Sequence, residues 1–84
     1  MYVMTRHAEQ QRIERNIPLA WIEQTIEQPQ RKEIHEDDTI HYLRHIPEFG
    51  NRWLRVIMNE TIDPNTIITV FLTGESNETT IIQR

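Results

Sequence analysis

Residues 39–59 read TIHYLRHIPEFGNRWLRVIMN and contain two segments in which the character of the side chains alternates from one residue to the next. A period of two places successive side chains on opposite faces of a β-strand. Residues 39–46 and 52–59 are therefore predicted to be neighbouring strands. The intervening segment PEFGN is predicted to be a hairpin loop, because Gly50 and Asn51 tolerate positive φ.

Strands are also predicted on either side of this hairpin. Residues 66–73 are rich in β-branched side chains and follow a turn at residues 63–65, which favours a third strand. Residues 31–35 and the pair Tyr2 and Val3 predict short edge strands. Residues 79–82 predict a last edge strand near the end of the chain.

The N-terminal third of the chain has helical rather than alternating patterning. Residues 5–15 are predicted to form a first helix, with Thr5 as its cap and Asn16 at its end. Residues 18–27 are predicted to form a second helix, which Pro29 ends. Apolar residues recur along the second helix and along the strands, and these predict a core made of Leu19, Ile22, Ile26, Val56, Ile68 and Val70.

These elements together predict one α+β domain over residues 1–84. Its two N-terminal helices are expected to pack on one face of an antiparallel sheet of three or four strands. This prediction rests on the order of the elements along the chain, with the helices first and most of the strands after them.

Composition limits the classes of protein that fit. The chain has 84 residues, of which 37% are hydrophobic and 26% are charged, and no cysteine. Disulfides and cysteine-based zinc sites are therefore excluded. No apolar run approaches the ~18 residues of a membrane span, and no signal peptide is visible, so a cytoplasmic location is expected. The net charge of −4 argues against a purely electrostatic nucleic-acid binder.

The histidines are candidate metal ligands. His41 and His45 have a spacing that chelates on a helix, but in a strand they are roughly 13 Å apart, too far for one ion. His35 precedes an acidic turn, where a histidine is usually solvated. We therefore expect neither a metal ion nor a cofactor.

A metal-free ribonuclease site is the second hypothesis. RNA cleavage by the 2′-hydroxyl needs a base, an acid and cations beside the phosphate. The first helix presents a polar row of His7, Gln11 and Arg15, which is either a site or a solvated face. Arg44 and Arg55 are expected on one face of the hairpin, where they would grip a phosphate. The full set of available groups is His7, Arg12, Arg15, His41, Tyr42, Arg44 and Arg55.

Aromatic side chains on the same strands have two interpretations. Tyr42 and Trp53 would stack on RNA bases if they lined the site. Alternating aromatic residues in a strand are otherwise part of a core. The sequence leaves both interpretations open.

Several short motifs resemble a bacterial family known as domain of unknown function 4258, which is itself similar to the RelE, ParE and BrnT toxins and to barnase-like ribonucleases. The resemblance covers roughly residues 2–73. The motifs are Thr5-x-His7-Ala8, Arg15 and Ile17, the second helix that ends before Pro29, Thr39-Ile-His-Tyr-Leu-Arg44, and Trp53-Leu-Arg55-Val56-Ile57.

The resemblance implies a metal-independent endoribonuclease toxin that pairs with a small antitoxin protein, and it leaves homodimer formation open. The residues expected to act on RNA are His7, Arg15, His41, Arg44 and Arg55. Gln11 stands where the family has an arginine, and an amide cannot neutralise a phosphate. The alternative is a non-catalytic protein-interaction module, or a degenerate protein that keeps the toxin fold.

Overall fold

The predicted hairpin forms the middle of a sheet in the computed structural model, which describes residues 2–73. The predicted strand at residues 79–82 lies outside the described residues. The elements are β1 (Tyr2–Met4), α1 (Arg6–Glu14), α2 (Leu19–Glu27), β2 (Arg31–Ile34), β3 (Thr39–Ile46), a short 3₁₀ helix (Pro47–Phe49), β4 (Arg52–Asn59) and β5 (Asn65–Thr73).

The strands of the described part form one sheet in the order β1-β5-β4-β3-β2. All neighbouring pairs are antiparallel except β1 and β5, which are parallel. The sheet therefore has five strands and mixed polarity, and the predicted antiparallel sheet of three or four strands is wrong in these two respects. Three residues of β1 carry too little pattern to reveal a partner that lies some sixty positions later.

Local signals set the bounds of both helices as predicted. The hydroxyl oxygen of Thr5 accepts a hydrogen bond from the Ala8 N–H at 3.0 Å and so caps α1. Asn16 takes the left-handed conformation, with φ 54°, just after that helix. The second helix ends at Glu27, before Pro29. In the hairpin loop, Gly50 has a φ of 70°, a conformation that favours glycine.

Both helices pack on the same face of the sheet, which we call the helix face. Of the two, α1 lies mainly against β5 and α2 against β3 and β4. The contacts between the helices and this face form one hydrophobic core, whose buried members are Ala8, Ile17, Ile22, Tyr42, Ile46, Leu54, Val56, Met58, Ile67 and Val70.

Three of the predicted core residues are not fully buried. The buried stripe of α2 is centred on Ile22 and Thr25, so Leu19 lies at its margin in the first turn and is 44% exposed. Ile26 is only partly buried for the same reason. In β5 the register shifts beside Ile57 and Met58, and this irregularity turns Ile67, rather than Ile68, into the core.

The two helices of residues 2–73 contain nine residues each. A bilayer-spanning helix needs about 20 mostly apolar residues. No helix in this part of the chain is therefore long enough to cross a membrane.

Candidate functional site

The face of the sheet opposite the helices carries most of the polar chemistry, and we call it the open face. The pairing of strands shows which residues lie on this face, because directly paired residues of neighbouring strands point to the same side of the sheet. Glu33 pairs with His41, and Leu43 pairs with both Arg31 and Arg55. Residues that share this face are Arg31, Glu33, His41, Leu43, His45, Trp53, Arg55, Ile57 and Phe71.

Four side chains meet on the open face and form what we call the open-face cluster: Glu33, His35, His41 and Arg55. Nη1 of Arg55 lies 2.7 Å from Nδ1 of His41 and 3.2 Å from Oε1 of Glu33. Nε2 of His35 lies 3.1 Å from the same Glu33 oxygen. The rings of His35 and His41 stack with centroids 3.7 Å apart. One carboxylate, two imidazoles and one guanidinium are thus in mutual contact.

The β2–β3 hairpin explains why these residues meet. The His35 N–H donates to the Thr39 carbonyl at 2.9 Å, and Asp38 takes a φ of 69° in the tight turn between them. This closure places Glu33 directly opposite His41. Arg55 then reaches the pair from β4, the next strand of the sheet.

Burial and charge set the protonation states in this cluster. Partial burial alone would raise the pKa of Glu33, but hydrogen bonds from His35 and Arg55 outweigh it and lower that pKa. Burial, followed by the charges of His35 and Arg55, lowers the pKa of His41 from 6.5 to about 4. At neutral pH, Glu33 is therefore ionised and His41 is neutral. Because Arg55 donates to Nδ1 of His41, the ring proton sits on Nε2.

The depressed pKa of His41 predicts how stability depends on pH. Between about pH 6.5 and pH 4, the unfolded chain binds a proton at this imidazole more readily than the folded chain does. The free energy of unfolding should therefore fall as the pH falls through that window. Thermal denaturation at several pH values should show a smaller decline for His41→Gln than for the wild type. Equal slopes for the two proteins would contradict this assignment.

Apolar and aromatic side chains surround the cluster on the open face. Leu43 is buried and pairs directly with Arg31 of β2 and with Arg55 of β4. Phe71 pairs with Arg55 from β5, and Trp53 lies on the same face of β4 with its ring 5.5 Å from that of His45. The polar cluster therefore lies beside partly exposed rings.

The two candidates for base stacking, Tyr42 and Trp53, lie on opposite faces of the sheet. Tyr42 is buried on the helix face, where its hydroxyl donates to the Glu60 carboxylate and its pKa is raised by burial and by that contact. For Tyr42, the interpretation as a core residue is thus confirmed. Trp53 is only partly buried on the open face and keeps that role as a prediction.

The structure brings together two of the five residues predicted to act on RNA. His41 and Arg55 are in contact on the open face. Arg44 pairs with a core residue on the other face, and its Nη1 donates to the Gln28 carbonyl at 2.6 Å. His7 is exposed on α1, the helix that packs mainly against β5, and Arg15 is exposed directly after that helix.

The expected convergence of His7, Arg15, Arg44 and Arg55 on one site is therefore wrong. In the β3–β4 register, Arg55 lies opposite Leu43, and Arg44 is one position further along β3. Consecutive residues of a strand point to opposite faces, so the sheet itself separates the two guanidiniums. The polar row of α1 lies on the far side of the same sheet.

Glu33 and His35 belong to the cluster but were not identified from the sequence. Their strand is short, and His35 was interpreted as part of a solvated turn. The signal was available, because a three-residue turn closed by residues 35 and 39 requires position 33 to pair with position 41. The length of this turn alone therefore predicts that Glu33 and His41 are direct neighbours.

Residues 4–72 match the model of the family described as Domain of unknown function (DUF4258). The match covers well over half of the chain, and the chain belongs to this family. No curated protein and no solved structure matches the chain significantly. The predicted resemblance to this family is thus confirmed, whereas the further likeness to RelE, ParE and BrnT toxins stays a prediction.

Proposed function

We propose that this DUF4258 domain is a metal-independent endoribonuclease whose site is the open-face cluster. The observation that carries the proposal is the position of Arg55, whose Nη1 contacts both Glu33 Oε1 and His41 Nδ1. A base, a proton donor and a fixed cation are thus within reach of one phosphate. These are the three groups that attack by the RNA 2′-hydroxyl requires.

Glu33 is the proposed general base. Its carboxylate is ionised at neutral pH because His35 and Arg55 donate hydrogen bonds to it. The carboxylate takes the proton of the 2′-hydroxyl while that oxygen attacks phosphorus. A bond from phosphorus to the 2′-oxygen forms and the bond to the 5′-oxygen breaks, which leaves a 2′,3′-cyclic phosphate.

The imidazolium form of His35 is the proposed proton donor to the leaving 5′-oxygen, and it becomes neutral imidazole when that oxygen takes the proton. The neutral ring of His41 accepts the Arg55 N–H at Nδ1 and so positions the guanidinium. His35 is more exposed and stacks on the His41 ring, which places a second imidazole at the edge of the cluster. Arg55 stabilises the charge that develops on the phosphate oxygens, because a guanidinium can donate two parallel hydrogen bonds.

The rings beside the cluster suit an unpaired RNA strand. Trp53 and Phe71 are partly exposed on the open face. Trp53 is on the same strand as Arg55, and Phe71 pairs with Arg55 from β5. Stacking of a base on an aromatic ring contributes about 1–3 kcal/mol. An extended strand of RNA would therefore lie across the sheet with its bases on these rings.

A toxin–antitoxin role follows from this proposal and from the resemblance to RelE and BrnT toxins. An RNase that cleaves cellular RNA must be held inactive, and a small antitoxin protein covering the open face would do so. Overexpression should then stop growth and degrade RNA. Co-expression of a small neighbouring gene product should restore growth.

Arg55→Ala tests the proposal directly. Loss of one preorganised donor to developing charge typically slows catalysis by about 10²–10³-fold, and we expect a loss of that size here. Arg52→Ala is the matched control, since Arg52 lies on the same strand, is exposed and points to the other face. RNA cleavage should be measured in EDTA with both folded variants. Equal activity of Arg55→Ala and the wild type would contradict the proposed site.

A non-catalytic interaction module is the second candidate function, and one observation favours it. Within residues 2–73, strand β2 is an edge of the sheet, and its Ile34 is 79% exposed. An unpaired edge with an exposed apolar side chain can accept a strand from a partner protein. Folded wild-type protein that is inert on free and ribosome-bound RNA, yet binds a neighbouring gene product through β2, would support this candidate instead.

A further inference from the structure

Three members of the open-face cluster carry the ligand atoms that transition-metal ions prefer. One ligand atom from each of Glu33, His35 and His41 lies within 4.8 Å of the other two. Imidazole nitrogens and carboxylate oxygens bind Zn²⁺ at about 2.0–2.2 Å. Two histidines and one carboxylate on one side of an ion leave its remaining positions open.

We propose that Glu33, His35 and His41 bind one divalent transition-metal ion of the zinc class, in exchange for the Arg55 guanidinium. In the described structure, Nη1 of Arg55 lies 2.7 Å from Nδ1 of His41 and 3.2 Å from Oε1 of Glu33. A cation thus already occupies the space between two of the three ligands. Two of the acceptors on which an ion depends, Oε1 of Glu33 and Nδ1 of His41, are therefore already directed at one point.

The metal ion and Arg55 exclude each other for two reasons. The lone pair on Nδ1 of His41 can accept an N–H or coordinate an ion, but not both. A guanidinium a few Å from a divalent ion also raises the free energy of the bound state by charge repulsion. Arg55 therefore limits the metal affinity, and its removal should increase that affinity.

Small side-chain movements complete the coordination. Tetrahedral bonds of the usual length place ligand atoms roughly 3.4 Å apart, compared with the present limit of 4.8 Å. His35 is exposed, and its rotation from the stacked position brings its nitrogen towards the ion. Glu33 and His41 need less movement, since they are direct partners on adjacent strands.

The hairpin, rather than the spacing of histidines along one strand, creates this site. His41 and His45 are on the same face of β3, but His45 contacts Trp53 and is outside the ligand group. This difference supplies a matched control for the experiment.

Titration of the full chain with Zn²⁺ in chelator-free buffer, followed by calorimetry, tests the proposal. One ion per chain should bind, and His35→Ala and His41→Ala should each weaken binding by at least about tenfold. His45→Ala should bind as the wild type does. Arg55→Gln should bind at least about tenfold more tightly, because the competing charge is gone. If His41→Ala fails to fold, His35→Ala decides, since its side chain is in an exposed turn.

Co²⁺ provides a second readout that needs no activity. Its visible absorption bands should appear in the wild type and become stronger in Arg55→Gln. They should be lost in His35→Ala and retained in His45→Ala. Absence of saturable binding in both the wild type and Arg55→Gln would overturn the proposal, and so would equal losses in His35→Ala and His45→Ala.

One consequence rests on the proposed function. Glu33 and His35 are the proposed base and proton donor, so a bound ion should inhibit RNA cleavage in proportion to its occupancy. Cleavage measured in EDTA tests the ribonuclease alone, and metal binding measured without RNA tests the metal site alone. Failure of either measurement therefore leaves the other result interpretable.

Discussion

Glu33→Gln is expected to slow RNA cleavage by roughly 10²–10⁴-fold, the usual contribution of a positioned base. The amide keeps the size of the side chain and can still accept a hydrogen bond from Arg55, but it cannot take a proton from the 2′-hydroxyl. Single-turnover cleavage in EDTA should measure this loss. Glu36→Gln is the control, since Glu36 is exposed in the adjoining turn.

The fold should survive Glu33→Gln, because Glu33 is only partly buried at an edge strand. Circular dichroism and thermal denaturation should therefore resemble those of the wild type. A folded Glu33→Gln protein with full activity would show that this carboxylate is not the base. Equal losses in Glu33→Gln and Glu36→Gln would point to a general effect of charge on RNA binding.

Ile67→Ala is expected to reduce the free energy of unfolding by about 2–5 kcal/mol. Ile67 is fully buried in β5 between the sheet and the helices, so the shorter side chain leaves a cavity. Ile34→Ala is the matched control: the same change in a strand, at a residue that is 79% exposed. It should cost about 0.5 kcal/mol or less. Urea denaturation of both variants measures the difference.

The same experiment tests the irregular register of β5. Strict alternation would bury Ile68 together with Val70, whereas the shifted register buries Ile67 with Val70. Ile68→Ala should therefore destabilise the protein less than Ile67→Ala. The reverse order would contradict the register described for β5.

Strong local signals predicted most of the fold. Three residues indicated where the helices begin or end: Thr5 through a capping hydrogen bond, Asn16 through a left-handed backbone, and Pro29 through its missing N–H. Each of these effects acts within a few residues of the chain. The β3–β4 hairpin was predicted because alternation extends through both of its strands, which have eight residues each. Where a pattern was short, as in β1, the sequence could not reveal a partner distant along the chain.

The candidate site was only half predicted, because strand register decides it. Arg44 and Arg55 looked like a pair on adjacent strands, but a one-residue difference in register places them on opposite faces. Glu33 and His41 are eight positions apart in the sequence, and they are neighbours only because the turn between β2 and β3 pairs their strands. The residue types therefore indicated which chemical groups a site could contain, whereas the pairing of strands determined which of those groups lie together.

Cleavage of a short RNA by wild-type protein in EDTA tests the central claim most directly. The substrate should be compared with the same RNA carrying a single 2′-deoxy nucleotide at the cleaved position. We predict cleavage of the RNA to a 2′,3′-cyclic phosphate end and no cleavage at the 2′-deoxy position. Folded protein that leaves the RNA intact, or that cuts both substrates equally, would contradict a metal-independent ribonuclease site on the open face.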